Sequence, residues 1–266
     1  MPIFNAENAH IWKELSDIDY FTQFIKAWLA FNAWLRNAYP HIIKDRDSIE
    51  YIKENSNQVR NKILSLLNNS GNSGQNFRGL IADLHTQLEQ TYLETERNGQ
   101  NCRITFTDMK TFNFASEDSF SHARAEYSLK RLTSGNNKGS IEIKVLKQGA
   151  QSVIFEFTQN EYNLEELKAH PPFQRLPVTR KEKIITSYHG IIPFKTISWL
   201  ADSGEDHIEI GAYKFKNDVN GLVAAIIENI YQMRCLLFHG ELVPKKDYNL
   251  VYEPAYRIVK VFLEAV

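Results

Sequence analysis

Cysteine is scarce in this chain of 266 residues. Cys102 and Cys235 stand far apart and form neither a disulfide framework nor a metal-ligand spacing. Two free thiols suit a reducing compartment. No stretch reaches the roughly 18 uninterrupted apolar residues of a membrane span, so no transmembrane helix is expected. The opening MPIFNAENAHIWKEL lacks a basic region followed by an apolar run, so no signal peptide is expected and the chain reads as a soluble cytoplasmic protein. An excess of either charge is missing too. The balance of 31 Lys and Arg against 32 Asp and Glu gives no support to a broadly basic nucleic-acid binder, and any such contact needs a local basic patch.

Apolar and aromatic residues are plentiful. The chain is 43% hydrophobic and holds 16 Phe, 12 Tyr and 4 Trp, ample for a sizeable core. Its length fits one large domain, or one domain carrying an insertion. Asp19 to Tyr39 reads as a helix capped by Asp17 or Asp19 and stopped by Pro40, with Phe21, Ile25, Trp28, Asn32, Leu35 and Tyr39 on one face. Asn32 lies inside that apolar stripe, where an unpaired amide is costly. Further helices are expected over Asp47–Leu67 and Phe77–Glu94, with the polar run NNSGNSGQN as the loop between them.

From Cys102 to Thr158 the helical period fades. Ser140–Leu146 and Val153–Phe157 alternate as two strands around a Gln148-Gly149-Ala150 turn, and Arg103–Thr107 reads as a third strand. This region, about 100–160, is expected to be an insertion in a single domain spanning 1–266. Helices return over Thr179–Tyr188, Asp218–Phe238 and Glu253–Glu264, with a short strand inside DSGEDHIEIGAYKFKND.

The stretch Ile226–Glu241, IIENIYQMRCLLFHGE, carries the most chemistry. With Val223 at the origin of a helical wheel, Arg234 falls near about 20°, in the middle of the apolar stripe. A guanidinium there needs a carboxylate, several carbonyls, a polar cleft or an anionic ligand, and Asn32 is a natural neighbour if the two helices pack. Glu228, Gln232, Cys235 and His239 share a narrow polar face at about 120–180°. For Glu228 and Gln232 the alternatives are a solvated helix surface and a site role. His239 sits at the helix end with Gly240 as the C′ residue, where the helix dipole favours imidazolium; the bland reading is a cap and the sharp one is general acid–base work. Residues five apart on an ideal helix point about 140° away from each other. Arg234 and His239 therefore meet only through an opened last turn, a long reach by the arginine, or a dimer.

The rest of the polar inventory is less pointed. His170, His189 and His207 are scattered without carboxylate or thiol clustering, so neither a metal nor another cofactor is expected. Arg175, Arg180, Lys181 and Lys183 form a basic run, and Arg124, Lys130, Arg131, Lys138, Lys144 and Lys147 give the insertion some positive character. Each set reads either as an RNA grip or as solvated surface.

The segment Tyr231–Gly240, YQMRCLLFHG, together with Trp28-Leu29-Ala30-Phe31-Asn32 in the first helix, resembles the HEPN superfamily, and within it the Apea-like group. The likeness covers about 20–70 and 217–264 and leaves the middle unmatched. It implies a mainly α fold, a HEPN-like helical bundle into which the β region is inserted. It also implies a homodimer and a metal-independent endoribonuclease in prokaryotic defence or a toxin role, with RNA as substrate and a cognate antitoxin or other defence protein as a further partner. On this resemblance His239 is the acid or base at the ribose 2′-hydroxyl or the leaving 5′-oxygen, Arg234 binds the phosphate, and Asn32, Glu228, Gln232 and Cys235 support them. Cys235 departs from the family pattern, which commonly carries Asn, Asp or His after the arginine. That departure keeps open a non-catalytic module binding RNA, nucleotide or a partner protein, and a purely structural oligomerisation domain stands behind it.

Overall fold

The computed structural model describes residue 13 and residues 18–97, 100–149 and 152–266. Asp17, Ala150 and the opening segment, Lys13 apart, lie outside the described residues. The chain forms two compact units, one built from the residues up to Met109 together with Ile197–Val266, the other from Lys110–Thr196.

The first unit is organised by helices α1 (Tyr20–Ala38), α2 (Asp45–Glu54), α3 (Gln58–Asn68) and α4 (Asn72–Thr91), followed by strands β1 (Glu94–Arg97) and β2 (Gln100–Arg103). Asp19 caps α1 by accepting from the Thr22 amide. The helix expected over Asp47–Leu67 is two helices. Ile52 and Val59 are seven apart, and in that gap Asn57 breaks the chain and caps α3 through the Arg60 amide. The run read as a loop after it already contains the first turn of α4, which begins at Asn72. Arg103–Thr107 is not a strand: β2 ends at Arg103 and pairs antiparallel with β1.

The second unit begins within β3 (Met109–Phe112), which pairs with β8 (Phe194–Ile197). Between them lie β4 (Glu117–His122), β5 (Ala125–Arg131), β6 (Ile141–Lys147) and β7 (Val153–Gln159), then helices α5 (Leu164–Ala169), α6 (Pro171–Gln174) and α7 (Val178–Gly190). The four strands β4 to β7 make one antiparallel meander. Along β5 burial alternates residue by residue, so Tyr127 and Leu129 face a core shared with Leu167, Phe173, Ile184 and Tyr188. The opposite face is polar, with Glu117 beside Lys130 and Lys130 beside Glu142 across the strands. Arg131 is 4% exposed and pairs with no carboxylate among the described residues; its guanidinium donates to the carbonyls of Ile191 at 2.9 Å, Ala115 at 3.2 Å and Asn113. It is therefore not part of the surface charge that the sequence suggested.

The chain returns to the first unit through the hairpin β9 (His207–Ile210) and β10 (Tyr213–Lys216), where one short strand was expected. Helix α8 (Val219–Phe238), capped by Asp218, and helix α9 (Lys246–Leu263) close it. Helix α9 packs on α1 and α4, and α8 packs on α2, α3 and α1. Their shared core includes Phe24, Trp28, Phe31, Ile226, Ile230 and Tyr252. Among the described residues α8 is the one helix long and apolar enough to cross a membrane, yet 61% of its most apolar window is buried inside the fold.

The expectation of a mainly α chain, a helical bundle with a small β insertion, is corrected. About 50% of the chain is helical and 20% is strand, in four small sheets with nine helices among the described residues, which makes it a mixed α/β protein. Part of the β content leaves no mark in the sequence: the β4–β5 hairpin turns at Ala123 and Arg124, both at positive φ, with none of the Gly or Asn that marks such turns.

Candidate functional site

Helix α8 ends as its residue types dictate. His239 is the C-cap, and Gly240 takes the left-handed conformation at φ +68°. The Gly240 amide donates to the Leu237 carbonyl and the Glu241 amide to the Leu236 carbonyl at 3.1 Å, the paired bonds of a Schellman motif. The His239 amide keeps its bond to the Cys235 carbonyl at 3.0 Å. The last turn is therefore closed, and it does not swing His239 towards Arg234.

Arg234 points elsewhere. Its Nη2 donates to Asp45 Oδ2 at 2.9 Å, and Asp45 also pairs with Arg36. The guanidinium carbon lies 4.5 Å from the Phe238 ring centroid and 6.0 Å from that of Trp28. A planar cation between aromatic faces, with a carboxylate at its tip, is a self-consistent way to hold an arginine in an apolar stripe. Asn32 is half-buried on α1 and forms no bond to Arg234; the partner from the WLAFN segment is Trp28.

Glu228 and Gln232 are not solvated surface. Glu228 is 2% exposed and sits between two cations, accepting from Arg46 Nη1 and from Lys53 Nζ, both at 2.8 Å. Gln232, 4% exposed, donates to the same carboxylate at 2.9 Å. Glu50 completes the cluster by pairing with both Arg46 and Lys53. Burial alone would lower the Arg46 pKa, but the Glu228 and Glu50 carboxylates outweigh it and hold the guanidinium above its usual value.

A cavity of about 290 Å³ opens beside this cluster, lined by Arg46, Thr95, Tyr231, Gln232, Cys235, His239 and Glu241. The imidazole of His239 is exposed and makes no hydrogen bond among the described residues. The Thr95 hydroxyl donates to Glu241 at 3.0 Å, which ties β1 to the turn after α8. The Arg46 guanidinium carbon lies 5.5 Å from the Tyr231 ring centroid. Burial, with Cys235 beside it, raises the Tyr231 pKa far above the usual tyrosine range, so this phenol stays a donor. The cavity thus gathers an exposed imidazole, a fixed guanidinium, a phenol, a thiol and a carboxylate.

Of the six residues singled out from the sequence, the cavity brings together Gln232, Cys235 and His239, with Glu228 behind it; Arg234 and Asn32 are not in its lining. Arg46, Thr95, Tyr231 and Glu241 were missed as site residues. Arg46 and Glu228 are 182 residues apart, so no local pattern links them. Tyr231 opens the signature and Glu241 directly follows it, and their positions on the wheel and at the helix end were a usable signal. A larger cavity of about 700 Å³ runs along α3, α4 and α9, lined by Lys62, Arg257, Lys260, Asp83 and Glu264 among others, and contains none of the expected site residues. Among the described residues no group of three or more His, Cys, Asp or Glu side chains converges as a metal site requires. Comparison with protein-family models, with curated proteins and with solved structures finds no match to this chain.

Proposed function

We propose that the chain is a metal-independent endoribonuclease with a HEPN-type site, acting as a cytoplasmic homodimer in prokaryotic defence or a toxin role. The observation that carries the reading is the exposed His239 imidazole, unengaged among the described residues, in a cavity that also holds Arg46 and Tyr231. His239 takes the proton from a ribose 2′-hydroxyl. The 2′-oxygen attacks the adjacent phosphorus, the bond from phosphorus to the 5′-oxygen breaks, and water protonates the departing 5′-oxygen. The products are a 2′,3′-cyclic phosphate and a 5′-hydroxyl. General base catalysis of this kind contributes about 10²–10⁴-fold. Arg234, bonded to Asp45, ties α8 to α2.

The test is cleavage of single-stranded RNA in excess chelator. Wild type is expected to cleave, and His239→Ala, with an unchanged melting temperature, to lose at least about 100-fold in kcat. Cleavage by His239→Ala at the wild-type rate overturns the reading. A second reading, a non-catalytic module that binds RNA, is favoured by Cys235 and by the engagement of Arg234 with Asp45. Tight RNA binding by wild type with no turnover would select it.

A further inference from the structure

Resting on the reading of this cavity as an RNA site, we infer that Arg46, not Arg234, is the residue that binds the phosphate of the RNA entering it. Three observations on the two arginines lead there. Arg46 lines the cavity with His239, and Arg234 does not. The Arg46 side chain is 30% exposed against 14% for Arg234. One of its five N–H donors, on Nη1, is given to Glu228 and one, on Nη2, to Glu50, which leaves three on a side chain that lines the cavity. Arg234 is stacked between two aromatic rings, and its Nε is buried with no partner.

The surroundings of Arg46 prepare it for that task. Glu228 is almost fully buried, so it fixes the guanidinium from behind. Lys53 shares both carboxylates, so the quartet of two cations and two anions is neutral as a whole, and neither carboxylate is spent on Arg46 alone. A held planar fork is what bidentate phosphate recognition requires, and a pre-placed donor needs no reorganisation when charge develops on the phosphate. The Tyr231 ring beside the guanidinium limits its movement further. Glu241 in the same cavity repels an anion and accepts from hydroxyl donors, so its carboxylate suits a ribose hydroxyl of the entering strand and not its phosphate. At about 290 Å³ the space lies at the lower end of small-ligand cavities, the size of one nucleotide unit and not of a duplex.

The experiment follows the His239 imidazole resonances by NMR while adenosine 3′-monophosphate is added, alongside cleavage of a single-stranded RNA. In wild type the signals are expected to move and saturate. Arg46→Gln is expected to weaken that binding at least about tenfold and to lower kcat/KM about 100-fold. Arg46→Lys keeps a cation beside Glu228, and therefore the fold, and is expected to fall between the two. Lys260→Gln, an exposed cation outside the cavity, serves as the charge control. Wild-type binding by a folded Arg46→Gln overturns the inference, as does a larger loss in Arg234→Lys than in Arg46→Gln. No saturable shift in the wild type overturns it as well. Arg46-dependent binding without RNA cleavage sinks the ribonuclease reading and leaves this inference standing. Cleavage by wild type and by Arg46→Gln at equal rates does the reverse.

Discussion

Arg234 and Asp45 face each other across 2.9 Å although 189 residues separate them in sequence. The pair joins the start of α2 to the last turns of α8, and Asp45 is shared with Arg36 on α1. Replacing Arg234 by Ala removes a charged hydrogen bond and the packing against Trp28 and Phe238. The expected loss is about 2 kcal/mol, read from urea denaturation. Arg234→Lys is expected to retain part of it, because an ammonium keeps the ion pair and loses the planar stacking.

Glu228 carries the other long-range ion cluster. Glu228→Gln leaves Lys53 and Arg46 facing an amide in a nearly closed site, and about 3 kcal/mol of stability is expected to go. The double variant Glu228→Gln, Lys53→Met is expected to recover part of that loss. A double-mutant cycle measured by chemical denaturation reads the coupling directly, and strict additivity would contradict the network.

Acid sensitivity is expected from a buried histidine in the first unit. His85 is 2% exposed, packed against the rings of Phe106, Tyr213 and Phe215. Burial depresses its pKa below the usual 6.5, against the opposing pull of Glu89. The unfolded chain therefore binds a proton before the native state does. Stability is full above about 6.5 and falls as the pH drops from there towards the lower native value. Glu89 adds a second loss at lower pH. Burial raises its pKa, but Thr105 and Arg103 together bring it below 4.5, so its contribution disappears as acid protonates the native carboxylate. Melting temperatures between pH 7.5 and 5 are expected to decline in wild type and to flatten in His85→Phe.

Gly240 holds its turn at φ +68°, where a side chain is strained. Gly240→Ala is expected to cost about 1 kcal/mol. It is also expected to loosen the C-cap, visible as a shift in the His239 imidazole resonances and in thermal melts.

What was legible in the sequence is what local chemistry dictates. The apolar period placed α1 and α8, Asp19 and Asp218 act as caps, and the φ of Gly240 follows from its place after a helix end. The placement of Arg234 and His239 on different faces was also readable from the wheel. What escaped are partners set by tertiary packing: Asp45 for Arg234, and Arg46 with Lys53 for Glu228. A buried glutamate and a solvated one look alike on a helical wheel, because the wheel does not show the neighbour that covers its polar face. The Ala123–Arg124 turn escaped for another reason, since its residues carry no signal for the backbone they adopt.

The first unit is interrupted in the chain by the whole of the second, residues 110–196. On a ribosome α1 to α4 emerge first, and α8 and α9, which cover their apolar faces, emerge more than a hundred residues later. The second unit, contiguous in sequence, is complete before either arrives, so it is free to fold while its host is still half made. Phe24, Trp28 and Phe31 are then left uncovered for that interval, and the nascent chain is most prone to aggregate when translation has passed Thr196 and has not yet delivered α8.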